Sequence, residues 1–255
     1  MRTFVATHYS GVLAALLCCA GAILPSALRA QADFGAFYES RLQQARTRQQ
    51  GDTNNVEAAV QLGRACFDRA EFATNDTQRA TLAVEGIAVC RAAATREPKQ
   101  PAAHYYLAMN LGQLARTKML GALPLVDEME RHFKLARDLD PKLDHAGPER
   151  CLGLLYRDAP GWPASIGSKS KARSNLLRAV ELAPDFPENR LNLLESALKW
   201  SDRKLVQSEV KAIEATLPVA RTNLTGDAWA ASWADWSRRW EAAQPRAKSL
   251  LKLPK

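Results

Sequence analysis

An alanine followed five residues later by a proline recurs three times in this chain: Ala93/Pro98, Ala136/Pro141 and Ala179/Pro184. The alanines are 43 residues apart both times, and Cys90, Phe133 or Leu176 stands three positions before each. A fixed period of this length marks a repeat architecture, in which each unit is one supersecondary element stacked on the next. The chemistry of the pattern says which element. Apolar residues at spacings of three and four make a helix face, a small Ala lets a second helix approach closely, and Pro cannot continue a helix.

The partner helices have their own signature, a large residue beside a small one at Leu62-Gly63, Leu107-Ala108 and Leu152-Gly153. Leu193-Leu194 breaks the rule in a fourth position. Tyr156 follows Gly153 by three, and Ala172, Leu176, Ala179 and Pro184 complete the second-helix pattern of the third unit. These are the marks of the tetratricopeptide repeat, whose ideal length is about 34 residues. The longer period predicts extra chain between the two helices of each unit. Sustained strand alternation is absent, so the expected fold is all-α: a tetratricopeptide-like solenoid of helical pairs with capping helices at both ends.

The expected organisation is a signal peptide over 1–32, an N-terminal capping helix over 33–50, three to four helical pairs over 55–218, and a Trp-rich capping helix and tail over 219–255. Phe34, Phe37, Tyr38, Leu42 and Ala45 line one face of the first cap, which Gly51-Asp52-Thr53-Asn54 ends. The degenerate fourth unit pairs Pro187–Trp200 with a helix near Arg203–Thr216. In the C-terminal helix, from about Asp227, Trp229, Trp233, Trp236 and Trp240 follow four-three-four spacing and share one side. Such a stripe packs on the preceding repeat or walls a ligand site.

The N-terminal expectation rests on Arg2, an apolar run from Gly11 to Leu24, Pro25, and the small-x-small site Ala30-Gln31-Ala32. That run is shorter than the ~20 residues that span a bilayer. Cleavage after Ala32 gives an exported chain starting at Asp33. Cys18 and Cys19 lack the small preceding residue that lipidation wants. The formal charge of the full chain is +8, scattered without a long basic run, which argues against nucleic acid as a partner. Cys66, Cys90 and Cys151 follow the leader, an odd number that excludes full pairing. If the helices turn near Asn75, Cys66 and Cys90 are offset by ~12 Å along the axis, beyond the ~7 Å that a bridge tolerates.

No catalytic, metal or cofactor motif emerges. His104, His132 and His145 lack metal-ligand spacing, and neither CxxC nor HExxH occurs. Gly161-Trp162-Pro163-Ala164-Ser165 is one residue too long for a nucleophile elbow. A binding protein is therefore expected. The repeat register turns Val60, Arg64, Phe67, Tyr105, Met109, Arg150, Leu154, Arg157 and Leu191 toward the concave face, where arginines suit the carboxylate of an amphiphilic acid or an extended peptide. Arg150 and Arg157, two turns apart with Leu154 between them, are expected to face solvent. Trp162, in a loop stiffened by Pro160 and Pro163, either plugs the core or projects to a partner.

The stretches HYYLAMNLGQLA, LDPKLDHAGPERCLGLLYRDAPGWPASIGSKSKA and ELAPDFPENRLNLLE resemble the T-component family of TRAP transporters, often called TatT, chiefly over Pro101–Ser196. The PGWP loop is the most specific part. The resemblance implies a periplasmic helical-repeat protein associated with tripartite solute transport. It also implies oligomers with internal cavities and contact with a solute-binding partner protein. The best-known members of that family are lipoproteins, a trait that the sequence around Cys18 and Cys19 does not share.

Overall fold

A computed structural model describes residues 26–118 and 121–252, which form ten helices. α1 (Ser26–Gly51) is followed by four antiparallel pairs: α2 (Val56–Ala70) with α3 (Asp76–Arg96), α4 (Pro101–Ala115) with α5 (Leu123–Leu139), α6 (Leu143–Asp158) with α7 (Lys169–Leu182), and α8 (Pro187–Lys199) with α9 (Arg203–Asn223). α10 (Asp227–Lys252) closes the series. Each helix packs on its sequence neighbour, and α2, α4, α6, α8 and α10 also pack in succession, giving the stack an inner row. The chain is thus an all-α, tetratricopeptide-like solenoid. Residues 1–25 of the expected leader lie outside the described residues, and α1 begins at Ser26, upstream of the expected 33, across a stretch of strong helix formers. Among the described residues no helix is long and apolar enough to cross a membrane.

The repeat marks act as their chemistry requires. Ala93, Ala136 and Ala179 are wholly buried. Each also has its carbonyl take the N–H of the helix-ending residue, from Glu97, Asp140 and Ala183, at 2.8, 2.9 and 3.1 Å. The following helices open on short links, with Pro101 and Pro187 in the first turn, where a missing N–H costs nothing. Asn55, Asn75, Ser168 and Asp202 cap α2, α3, α7 and α9 by accepting backbone N–H bonds. Gly153 faces Leu176 so closely that an added Cβ would stand 2.6 Å from Leu176 Cγ, and one on Gly63 would collide with Cys90 Sγ. The surplus over an ideal repeat is placed differently in each unit. As expected it falls between the helices in the second unit, where α4 ends at Ala115 and α5 begins at Leu123, and in the third, as the 159–168 loop, but in the first it lengthens α3 instead.

The core is continuous in two large clusters. One joins α2 to α7 around Tyr105, Leu107, Phe133 and Leu152. The other joins α6 to α10 around Leu154, Leu176, Leu194 and Trp236. Trp236 is buried, and Trp229, Trp233 and Trp240 are partly buried against the same cluster, so the tryptophan stripe packs on the preceding repeat. Cys66, Cys90 and Cys151 are buried free thiols.

One joint departs from helical geometry. At the start of α6, Asp144 (φ 49°), His145 (φ 54°) and Ala146 (φ 62°) are all left-handed, with no glycine among them. Each such residue costs about 1–2 kcal/mol, so neighbours must hold the turn. Arg150 donates to the carbonyls of Asp144 and His145 at 3.3 and 3.1 Å, and Asn189 donates to the His145 carbonyl at 2.9 Å. The Tyr105 hydroxyl donates to Asp144 Oδ2 at 2.7 Å. The His145 ring lies flat on Phe186, 4.2 Å between centroids.

Candidate functional site

The inner row carries the site candidates. At its N-terminal end, α1, α2 and α4 border an open groove of about 500 Å³ lined by Arg41, Arg48, Val60, Arg64, Asp68 and Tyr106, among others. Arg64 is its central exposed cation, with 60% of its side chain accessible. The guanidinium stands 3.6 Å from Asp68 and 5.9 Å from the centre of the Tyr106 ring. Burial pushes the Asp68 carboxyl up to about 6, opposed by Arg64 and reinforced by Asp144. The groove offers cations beside an aromatic face, a setting for a carboxylate on an apolar or aromatic stem.

A second, smaller cleft of about 90 Å³ adjoins it. Tyr38 and Phe72 from the N-terminal end, Phe67 and Asp68 of α2, Glu188 of α8 and Trp236 of α10 border it. Tyr38 and Phe72 are stacked 4.9 Å apart. Behind Glu188 lies Arg239, which is buried and reaches Glu188 and Asp235 at 3.6 and 3.5 Å and grips both carboxylate oxygens of Glu195 at 2.8 and 2.9 Å. This fork fastens α10 to α8.

The expected concave set is only partly assembled. Arg64 opens into the arginine groove, and Phe67, largely buried, edges the smaller cleft. Tyr105, Met109, Leu154 and Leu191 are core residues, because each inner helix is covered on more sides than a two-layer register allows, and Val60, also largely buried, shows only an edge to the groove. The expectation that Arg150 faces solvent is corrected. Its side chain is buried, bonding to Asp144 and to Asn189 Oδ1 at 3.0 and 2.9 Å, because the left-handed turn brings three acceptors to it. Arg157 is likewise tied down, forking onto Asp158 at 2.9 and 2.6 Å and donating to Ser196 Oγ at 3.0 Å. Arg150 and Arg157 therefore do not form one open cationic face. Asp68 is a site residue that helical spacing could have found, one turn beyond Arg64 on the same face. Asp144, Glu188 and Arg239 carry no local signal.

Trp162 projects, with 88% of the residue exposed. Its loop is braced by backbone bonds from Gly167 N to Pro160 O (2.8 Å), Ser168 N to Tyr156 O (2.9 Å) and Ala164 N to Gly161 O (3.1 Å). A Cβ on Gly167 would lie 2.6 Å from the Pro160 carbonyl oxygen, so this closure needs glycine. Among the described residues no group of three or more His, Cys, Asp or Glu is placed to hold a metal ion.

The fold is that of a helical-repeat protein of the tetratricopeptide type. In keeping with that, the solved structure of a thermophilic TPR protein from Thermus thermophilus superposes with a TM-score of 0.60, covering 86% of this chain and 97% of its own. The identity is 18%, so the likeness is one of fold. The family model described as "Regulator of microtubule dynamics protein 1-3" matches residues 30–146, from α1 to the first residues of α6. No curated protein is matched by the sequence.

Proposed function

We propose that this protein is a non-enzymatic scaffold that binds an extended segment of a partner protein along its inner face. The observation that carries the reading is the open groove that Arg41, Arg48 and Arg64 line together with Tyr106. A partner-binding scaffold calls for mixed polar grooves and exposed aromatic anchors, and Trp162 is such an anchor on a rigid loop. The leader-like N-terminal sequence supports a periplasmic location. The resemblance of Pro101–Ser196 to the TRAP T-component family makes a periplasmic solute-binding protein the partner of choice, with a homo-oligomer as the functional assembly. A second reading has one observation in its favour. Val60 and Leu143 line the groove beside the arginines, which also suits a small amphiphilic acid carried by the protein.

Site-directed photocrosslinking tests the first reading. A crosslinker at Gln61, on the groove wall, should capture a discrete protein in periplasmic extract, and Arg64→Glu should abolish the product. Capture of nothing, together with a fatty or aromatic acid found by native mass spectrometry, would replace scaffold by carrier.

A further inference from the structure

We infer that the tip of the 159–168 loop is a docking surface for an anionic lipid membrane, with Trp162 entering the interface and the lysines at the base of the loop meeting the headgroups. The inference goes beyond the partner-binding reading. It leaves the arginine groove to the partner segment and gives the exposed tryptophan a target of its own.

The outermost part of the loop is apolar. Pro160, Gly161, Trp162, Pro163 and Ala164 are exposed in succession, Trp162 by 88%. Tryptophan settles at the headgroup level of a bilayer, where its ring meets apolar chains and its N–H stays wet. Backbone bonds from Gly167 N to Pro160 O and from Ser168 N to Tyr156 O close the base of the loop, so little is left to order on binding. The neighbouring unit adds to the same end of the stack. α4 and α6 run in the same direction, and the link that follows α4 opens α5 on exposed Leu123 and Pro124.

Cations stand behind this tip. Lys169 and Lys171 are exposed in the first turn of α7, where the helix dipole is already positive. Their ammonium groups lie 5.8 Å from the Trp200 ring centre and 5.1 Å from that of Tyr156, which keeps them at the base of the loop. The carboxylates beside them are already engaged, Asp158 by Arg157 and Lys199, and Asp202 by Arg173. The charge left over is positive, and basic residues next to a membrane draw an anionic leaflet over about a Debye length. From the tip inward the order is apolar, then cationic. That is the order in which a bilayer offers its partners, hydrocarbon beneath and phosphate above. A site for a protein would set the ring within a patch of fitted side chains, whereas Trp162 stands clear of its neighbours.

Co-sedimentation of the full chain with vesicles tests the inference. Binding to vesicles of phosphatidylcholine and phosphatidylglycerol in equal parts should be at least ~10-fold tighter than to phosphatidylcholine alone, and should weaken as salt rises. Trp162→Ala should weaken it ~10-fold. Lys169→Gln combined with Lys171→Gln should weaken it ~25-fold, at ~5-fold for each charge. Parent and variants share one N-terminal sequence, so the differences between them report on the loop. The three side chains are exposed, and unchanged melting temperatures would show the variants folded. Equal binding to neutral vesicles, or binding indifferent to Trp162→Ala or to the lysine pair, overturns the inference. A benzophenone amino acid in place of Ala164, irradiated in cells, should label lipid. A discrete protein adduct instead would assign the tip to a protein partner and overturn it as well. Because none of these changes touches the arginine groove, crosslinking at Gln61 can fail while the vesicle test succeeds, and the reverse.

Discussion

His104 Nδ1 stands 2.9 Å from His132 Nδ1 in the buried seam between α4 and α5. The far nitrogen of His104 lies 2.9 Å from the Pro98 carbonyl and must donate to it. His104 Nδ1 is then an acceptor, and His132 Nδ1–H must be the donor. That leaves His132 Nε2 bare, where an Arg131 N–H reaches it at 3.2 Å. The chain of bonds is closed only when both rings are neutral.

Acid should therefore loosen the protein. Burial first, then the neighbouring Arg131, pushes His132 down to about 4, with Glu128 opposing. An unfolded histidine titrates near ~6.5, so between these values the unfolded chain binds the extra proton. Stability from His132 is whole above about pH 6.5, falls as the pH drops, and is gone below about 4, a loss of about 3 kcal/mol. Urea unfolding at a series of pH values should show this slope, reduced in His132→Asn. A flat profile in the parent would refute the tautomer assignment.

Ala179→Trp should unfold or severely destabilise the domain. Ala179 is wholly buried, and its carbonyl takes bonds from both Ala183 N and Asn189 Nδ2. Overpacking costs ~1–3 kcal/mol for small enlargements and more for a large ring. Lys169→Ala removes only an exposed cation 5.8 Å from the Trp200 ring centre and should leave the melting temperature within a few degrees. Thermal melts of the two variants decide the matter.

Arginines of the inner row should divide sharply by burial. Arg150→Ala removes the buried cation paired with Asp144 and the guanidinium donor shared by the Asp144 and His145 carbonyls, and should cost about 3–5 kcal/mol. Arg64→Ala removes a largely exposed side chain and should cost less than ~0.5 kcal/mol while weakening capture of the partner. Denaturant midpoints measured beside crosslinking yield separate the two roles. Similar midpoints for both variants would contradict the buried position of Arg150.

Removing the fork on α10 should release that helix. Arg239→Ala takes away both bonds to Glu195 and the cation that Glu188 and Asp235 share. Hydrogen exchange should then rise over Asp227–Lys252 before the rest of the chain. Uniform acceleration would mean that α10 unfolds only with the whole.

The repeat, its buried alanines and its helix stops are legible in the sequence because a 43-residue period and Pro98, Pro141 and Pro184 leave few alternatives. The register puts Tyr105, Met109, Leu154 and Leu191 on the right helices but at the wrong depth. A single-helix register cannot see that an inner helix touches its own pair and both neighbouring inner helices. Arg150 escapes it for a different reason. Its partners, Asp144 and Asn189, depend on a left-handed turn at three residues that ordinarily avoid it. The juxtaposition of Asp68 with Glu188 and Trp236 is set by the accumulated rotation of four helical pairs, which no local spacing records.

A stacked-pair solenoid behaves as a spring whose coils are its helix pairs. The Asp144–Ala146 turn is a coil whose backbone is held against its own preference by side chains from α4, α6 and α8. Were those side chains to let go under tension, the stack would part between α5 and α6. The arginine groove would travel with one half and the Glu188–Trp236 wall with the other, so tension on the chain would unmake the small cleft before it unfolded a single helix.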